Sequence, residues 1–107
     1  MSARVLINVP KIIRAHEAFL VKVLISHPME SGQRRDPMGV VIPRDIISRF
    51  VCSLDGEMVL DVDLYPAISA NPFLSFSVVA AKAGTLTMVF TGDHGLSRTE
   101  SVAFAVT

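Results

Sequence analysis

Apolar and polar residues alternate with a period of two along most of this chain, the signature of strands with one buried face. In FLVKVLI, residues 19–25, Phe19, Val21, Val23 and Ile25 share one face, with Leu20, Lys22 and Leu24 on the other. Between 46 and 54, Ile46, Phe50, Cys52 and Leu54 oppose Arg49 and Ser53. Leu60, Val62 and Leu64 then alternate with Asp61, Asp63 and Tyr65. Leu74, Phe76, Val78 and Ala80 oppose Ser75 and Ser77, and Leu86, Met88 and Phe90 oppose Thr85 and Thr87. The last segment sets Val102, Phe104 and Val106 against Ser101, Ala103 and Ala105. With VLINV near the start, the pattern predicts about seven short strands.

Turn residues fall between these runs. Asp55-Gly56 separates two alternating stretches and signals a two-residue hairpin. Ala83-Gly84 and Asp93-His94-Gly95 supply further turns, and YPAISANP, with Pro66 and Pro72, reads as a longer crossing between sheets. Outside residues 26–45 no stretch combines helical periodicity with a cap and adequate length. The expectation is an all-β chain, a single domain over 1–107, folded as an immunoglobulin-like two-sheet β-sandwich of about seven antiparallel strands. The tryptophan and paired cysteines of antibody domains are absent.

One segment breaks the alternation. SHPMESGQRRDPMGVVIPRD, residues 26–45, holds three of the six prolines, two of the six glycines and the Arg34-Arg35 pair. A connection of that length without regular structure is uncommon in a compact domain and often functional. Four of the seven arginines, Arg34, Arg35, Arg44 and Arg49, fall between 34 and 49, among Glu30, Asp36 and Asp45. Guanidinium groups grip carboxylates and other oxyanions through paired hydrogen bonds, and arginine and methionine are both enriched at protein interfaces. Internal salt bridges that stiffen a long loop fit the same pattern equally well.

Composition narrows the field. Ten basic and ten acidic residues cancel, and only 7% of residues are aromatic, so nothing here is built to attract or stack nucleic acid. No apolar run is long enough to cross a bilayer, and the N-terminal MSARVLINVPKIIRAHEAF lacks the apolar core and cleavage site of a secretory leader. Cys52 is the single cysteine, lies within a strand, and shares its inward face with Phe50 and Leu54, which would hide the thiol. A copper site would need two His, one Cys and usually Met converging; His16, His27 and His94 are scattered over different segments. No serine sits in a nucleophile elbow, and Gly32 precedes no phosphate-binding helix. Asp61 and Asp63 read as a solvated strand face, and Asp93-His94-Gly95 as a polar turn. The residues therefore suggest no enzyme, no metal and no cofactor.

The stretch LISHPMESGQRRDPMGVVIPRDIISRF, residues 24–50, resembles the SoxZ family, the partner subunit of the SoxYZ sulfur-carrier complex of thiosulfate oxidation. The resemblance continues through Asp55-Gly56, SANPFLSF (69–76) and KAGTL (82–86), and thins over the first fifteen residues. The last hairpin, TGDHGLSRTE, departs from the family by lacking a more acidic turn with a nearby aromatic. The resemblance implies an immunoglobulin-like fold and a non-catalytic role. It implies a heterodimer with a SoxY-like carrier, whose C-terminal arm cysteine holds the sulfur intermediates and visits other Sox enzymes. Cys52 does not match that cysteine. Periplasmic location by co-export with the partner is also implied, with no leader on this chain and no membrane association. On this reading His27, Met29, Glu30, Gln33, Arg34, Arg35, Asp36 and Arg44 form the partner interface, with Met29 at its centre and the charged groups around it. The rival reading is a generic immunoglobulin-like interaction or self-associating module without a sulfur-carrier role, and a homo-oligomer of the isolated chain is left open.

Overall fold

The computed structural model describes residues 4–107. Its strands are β1 (Val5–Asn8), β2 (Ile12–Ile13), β3 (Ala18–Ile25), β4 (Ile47–Leu54), β5 (Glu57–Asp63), β6 (Phe73–Val79), β7 (Gly84–Gly92) and β8 (Ser97–Val106). They form two sheets, a three-stranded one in the order β1-β3-β6 and a five-stranded one in the order β2-β8-β7-β4-β5. The only helical element among the described residues is a single 3₁₀ turn, Asp93–Gly95, between β7 and β8. The all-β immunoglobulin-like sandwich expected from the alternation is the fold observed.

Alternation decides which side chains the two sheets enclose. Val21, Val23 and Ile25 of β3 face Phe50 and Cys52 of β4 and Leu86, Met88 and Phe90 of β7, all fully buried. The Phe50 ring packs 4.9 Å from Phe90 and 5.9 Å from Phe76, and Phe19 lies 5.2 Å from Phe104. Each fully buried side chain of this size contributes about 1.5–3 kcal/mol relative to exposure. Cys52 belongs to this core, and burial pushes its thiol up to about 11.

The turns follow the expected chemistry. Asp55 and Gly56 both take positive φ, +49° and +88°, as the tight hairpin between β4 and β5 requires. The segment containing Pro66 and Pro72 carries the chain from the five-stranded sheet to the three-stranded one. One strand escapes the periodicity. Past Pro10 the chain changes sheets, and Ile12 and Ile13 pair in parallel with Ala105 and Val106 of β8. Two residues are too few to show a period, and their partners lie at the far end of the sequence. At the other end of the five-stranded sheet, the β4–β7 register shifts between Ile47 and Arg49, which lets Ile46 and Ile47 both bury. Gly92 accommodates this close approach, because a Cβ there would stand 2.3 Å from the Ile46 carbonyl oxygen.

Candidate functional site

Between β3 and β4 the chain does not wander. It doubles back as a narrow ribbon. Glu30 and Asp45 exchange two backbone hydrogen bonds of 2.8 Å each at its base. Further out the Ile42 amide donates to the Arg34 carbonyl at 2.8 Å, and Arg35 sits opposite Val41. The tip, Asp36-Pro37-Met38-Gly39, is closed by the Asp36 carboxylate, whose Oδ1 accepts the amides of Met38 at 2.8 Å and Val40 at 3.0 Å. An aspartate that captures the amide two residues on is a turn-former in its own right. Gly39 completes the tip at φ +83°, with its carbonyl held by the Arg35 guanidinium at 2.8 Å.

The root of the ribbon is anchored by His27 and Met29. Both are buried, and this departs from the expectation that they meet a partner. Met29, in the left-handed region at φ +51°, turns its side chain into the chain's own core, and its Sδ accepts the Ile47 amide at 3.3 Å. His27 Nδ1 accepts the Met29 amide at 3.0 Å, so a neutral ring carries its proton on Nε2. That nitrogen lies 3.7 Å from the Asp45 carboxylate. The His27 backbone is tied in turn to Asn71, with its amide donating to Asn71 Oδ1 at 3.0 Å and its carbonyl accepting the Asn71 amide at 2.8 Å. These are structural posts.

The charged groups are spent largely on the ribbon itself. Arg34 forks onto Glu30 four residues earlier, and this hydrogen bond holds the Glu30 carboxyl below its usual range. Arg44 grips Asp93 with two bonds, Nε to Oδ2 at 2.9 Å and Nη2 to Oδ1 at 2.8 Å. That fork holds the Asp93 carboxyl low, aided by the Ile46 amide, which donates to it at 3.2 Å. The Arg44 carbonyl meets His94 Nε2 at 2.9 Å. Gln33 and Arg35 are exposed, and Gln33 contributes its amide to Ser31 Oγ at 3.2 Å. Gly32, at φ +86°, lets the ribbon's two arms approach, since a Cβ there would stand 3.1 Å from Arg44 Cβ. Arg49 lies outside the ribbon, paired with Asp61 across β4 and β5 at 2.7 and 2.9 Å.

What the ribbon displays is apolar. Met38 is 87% exposed, Val40 61% and Val41 42%, with Pro37 exposed beside them. The structure thus keeps Glu30, Gln33, Arg34, Arg35, Asp36 and Arg44 together in one projection, moves His27 and Met29 into its foundations, and adds Met38, Val40 and Val41 at its end. Asp93, His94 and Asn71 also belong to this assembly, although they come from two distant loops. The sequence offers no local signal for them beyond polar turns.

A family model for the sulphur oxidation protein SoxZ matches residues 7–103. The chain belongs to the SoxZ family. The match spans the ribbon, both of its anchoring loops and nearly all of the sandwich. No curated protein matches the sequence significantly. Among solved structures, the chain resembles a superoxide reductase (neelaredoxin) from Ignicoccus hospitalis at 19% identity and TM-score 0.72, over 96% of this chain and 80% of that one. It also resembles the sulfur carrier protein SoxY from Chlorobium limicola f thiosulfatophilum at 20% identity and TM-score 0.67, over 96% and 78%. A CARDB domain from Pyrococcus furiosus aligns at 14% identity and TM-score 0.61, over 99% and 88%. Identities this low establish a shared sandwich and no more. Among the described residues of the SoxZ-family chain, no group of three or more His, Cys, Asp or Glu is arranged to hold a metal ion.

Proposed function

We propose that this SoxZ-family chain is a non-catalytic subunit that binds a SoxY-like sulfur carrier in a heterodimer and uses the ribbon as a docking element. The observation that carries this reading is the ribbon's construction. Its arginines and acids brace one another, and a cluster of Pro37, Met38, Val40 and Val41 is left standing in solvent. Exposed apolar side chains on a stiff projection are the raw material of an interface anchor, because little ordering opposes their burial. The two meanings left open for the arginines therefore combine: they hold the shape that displays the apolar tip.

The sulfur chemistry belongs, on this reading, to the arm cysteine of the carrier. Cys52 is enclosed by the core with its thiol pushed up to about 11, so it offers neither access nor thiolate. The complex would work in the periplasm, reached together with the carrier, and meet other Sox enzymes there through the arm. Fractionation with and without a co-expressed carrier tests the location, and retention in the cytoplasm alongside the carrier overturns it.

The docking role is tested by co-purification and titration with a SoxY-like protein. Met38→Asp should weaken binding by more than about 1 kcal/mol, the threshold for an energetically important contact. Equal affinity for the wild-type chain and for Met38→Asp combined with Val40→Asp would remove the ribbon tip from the interface.

A further inference from the structure

We propose that β6 is a pairing edge for a second copy of this chain, joined antiparallel about a two-fold axis at Phe76. The two three-stranded sheets become one of six strands.

Three observations lead there. The first is that β6 is an unguarded edge. Among the described residues it pairs only with β3, and its sequence, FLSFSVV, contains no charge, proline or glycine. Exposed edges are normally blunted by such residues or by being short. The other edges of this sandwich obey that rule: β5 carries Glu57, Asp61 and Asp63, β1 has four residues, and β2 has two.

The second is the phase of the ladder. The Ile25 amide donates to the Pro72 carbonyl at 3.1 Å, so the hydrogen-bonded pairs with β3 fall at Val23–Leu74, Val21–Phe76 and Phe19–Val78. The amides and carbonyls of Phe73, Ser75, Ser77 and Val79 consequently point away from β3, toward the open edge. In the proposed register Phe73 faces Val79 of the second copy and Ser75 faces Ser77. Each of these pairs exchanges two hydrogen bonds, and all four outward-pointing residues find partners.

The third is self-complementarity, which selects a second copy over a foreign strand. Read from either end, the segment presents apolar, apolar, serine, phenylalanine, serine, apolar, apolar. On the outer face the exposed Phe73 and Val79, at 59% and 56%, would cover each other at both ends, with serine pairs between them. On the inner face Leu74 meets Val78, and Phe76 meets its own copy on the axis, at a non-hydrogen-bonded position where side chains approach most closely. Leu74 and Phe76 are only half-buried in the single chain, unlike Val21, Val23 and Ile25 on the neighbouring strand. The nearest charge on the outer face, Lys22, lies opposite Ser75 on β3. The two Lys22 residues would stand about three strand spacings apart, roughly 14 Å, beyond the screening length of physiological salt. Because the contact is isologous, each copy uses its edge once and assembly stops at two.

Sedimentation of the isolated full chain over a micromolar concentration series provides the test. A reversible monomer–dimer equilibrium is expected. Ser77→Pro deletes an outward amide without touching the β3 ladder, and Ser75→Lys places cations along the new junction. Each should raise the dimer dissociation constant at least about 10-fold, a change of 1.4 kcal/mol, while thermal unfolding confirms the fold. Met38→Asp, in the ribbon, should leave the equilibrium unchanged, which separates this edge from the carrier-docking reading. A strictly monomeric chain, a dimer indifferent to both β6 variants, or growth beyond two copies would each refute the pairing. So would a monomer whose β6 variants instead lose a SoxY-like partner.

Discussion

Arg44 and Asp93, forty-nine positions apart, are locked together by two parallel hydrogen bonds of 2.9 and 2.8 Å. The pair fastens the returning arm of the ribbon to the 3₁₀ turn beyond β7. Asp93 does more than neutralise a guanidinium, for it also accepts the Ile46 amide, while its own amide donates to the Ile46 carbonyl at 3.0 Å. Removal of its carboxylate therefore leaves the Ile46 amide without that acceptor as well as Arg44 without its charge partner. Asp93→Ala should lower the melting temperature more than Arg44→Ala and speed hydrogen exchange at Ile46. Equal effects of the two substitutions would mean that the charge alone matters.

Acid should loosen the molecule from the outside. Hydrogen bonds from Arg34, Arg49 and Arg44 hold the carboxyls of Glu30, Asp61 and Asp93 below their ordinary values of 4.5, 3.8 and 3.8. A carboxyl whose folded value is depressed stabilises the fold above its unfolded value and loses that contribution as pH falls through the folded one. Urea midpoints should thus be flat between about pH 5 and pH 8 and decline below about pH 4.5. Because all three pairs face solvent, high salt should shrink the decline. A midpoint that rises on acidification would contradict this assignment.

The two ribbon methionines should behave as opposites. Met29→Ala removes a buried side chain and should cost about 2–5 kcal/mol in stability. Met38→Ala, in open solvent, should change stability by less than about 0.5 kcal/mol. Denaturant titration of both variants distinguishes an inward Met29 from an outward one.

Cys52 should be inert while the chain is folded. At pH 8 a thiol-specific chromogenic reagent should react only on the timescale of unfolding, and rapidly once denaturant is added. Cys52→Ser places a hydroxyl among Phe50, Leu86 and Phe90 and should destabilise by about 1–3 kcal/mol. Fast labelling in native buffer would place the thiol at the surface.

Much of this architecture is legible in the amino-acid order because a strand's period of two is a local property. Val21, Val23 and Ile25 announce their face, and Asp55-Gly56 announces its turn. The ribbon is different. Its bonds run from side chain to backbone, as with Asp36 onto Met38 and Val40, or Arg35 onto Gly39, and such bonds leave no period. Met29 illustrates the limit most plainly. An apolar residue in a polar loop can turn either way, and what turns it inward is a positive φ together with the waiting Nδ1 of His27. The roles of Asp93 and Asn71 depend on loops that meet only after both sheets have formed. The break in alternation marks residues 26–45 as a segment apart, but it does not say which of their side chains turn inward.

The closed state of the ribbon in the unbound chain has a kinetic consequence. Where binding requires a conformational change, that step slows association. Residues 30–45 already have their shape. A partner that grips the tip would meet a solid key, and its arrival rate should be governed by diffusion and orientation, with no separate conformational step to wait for.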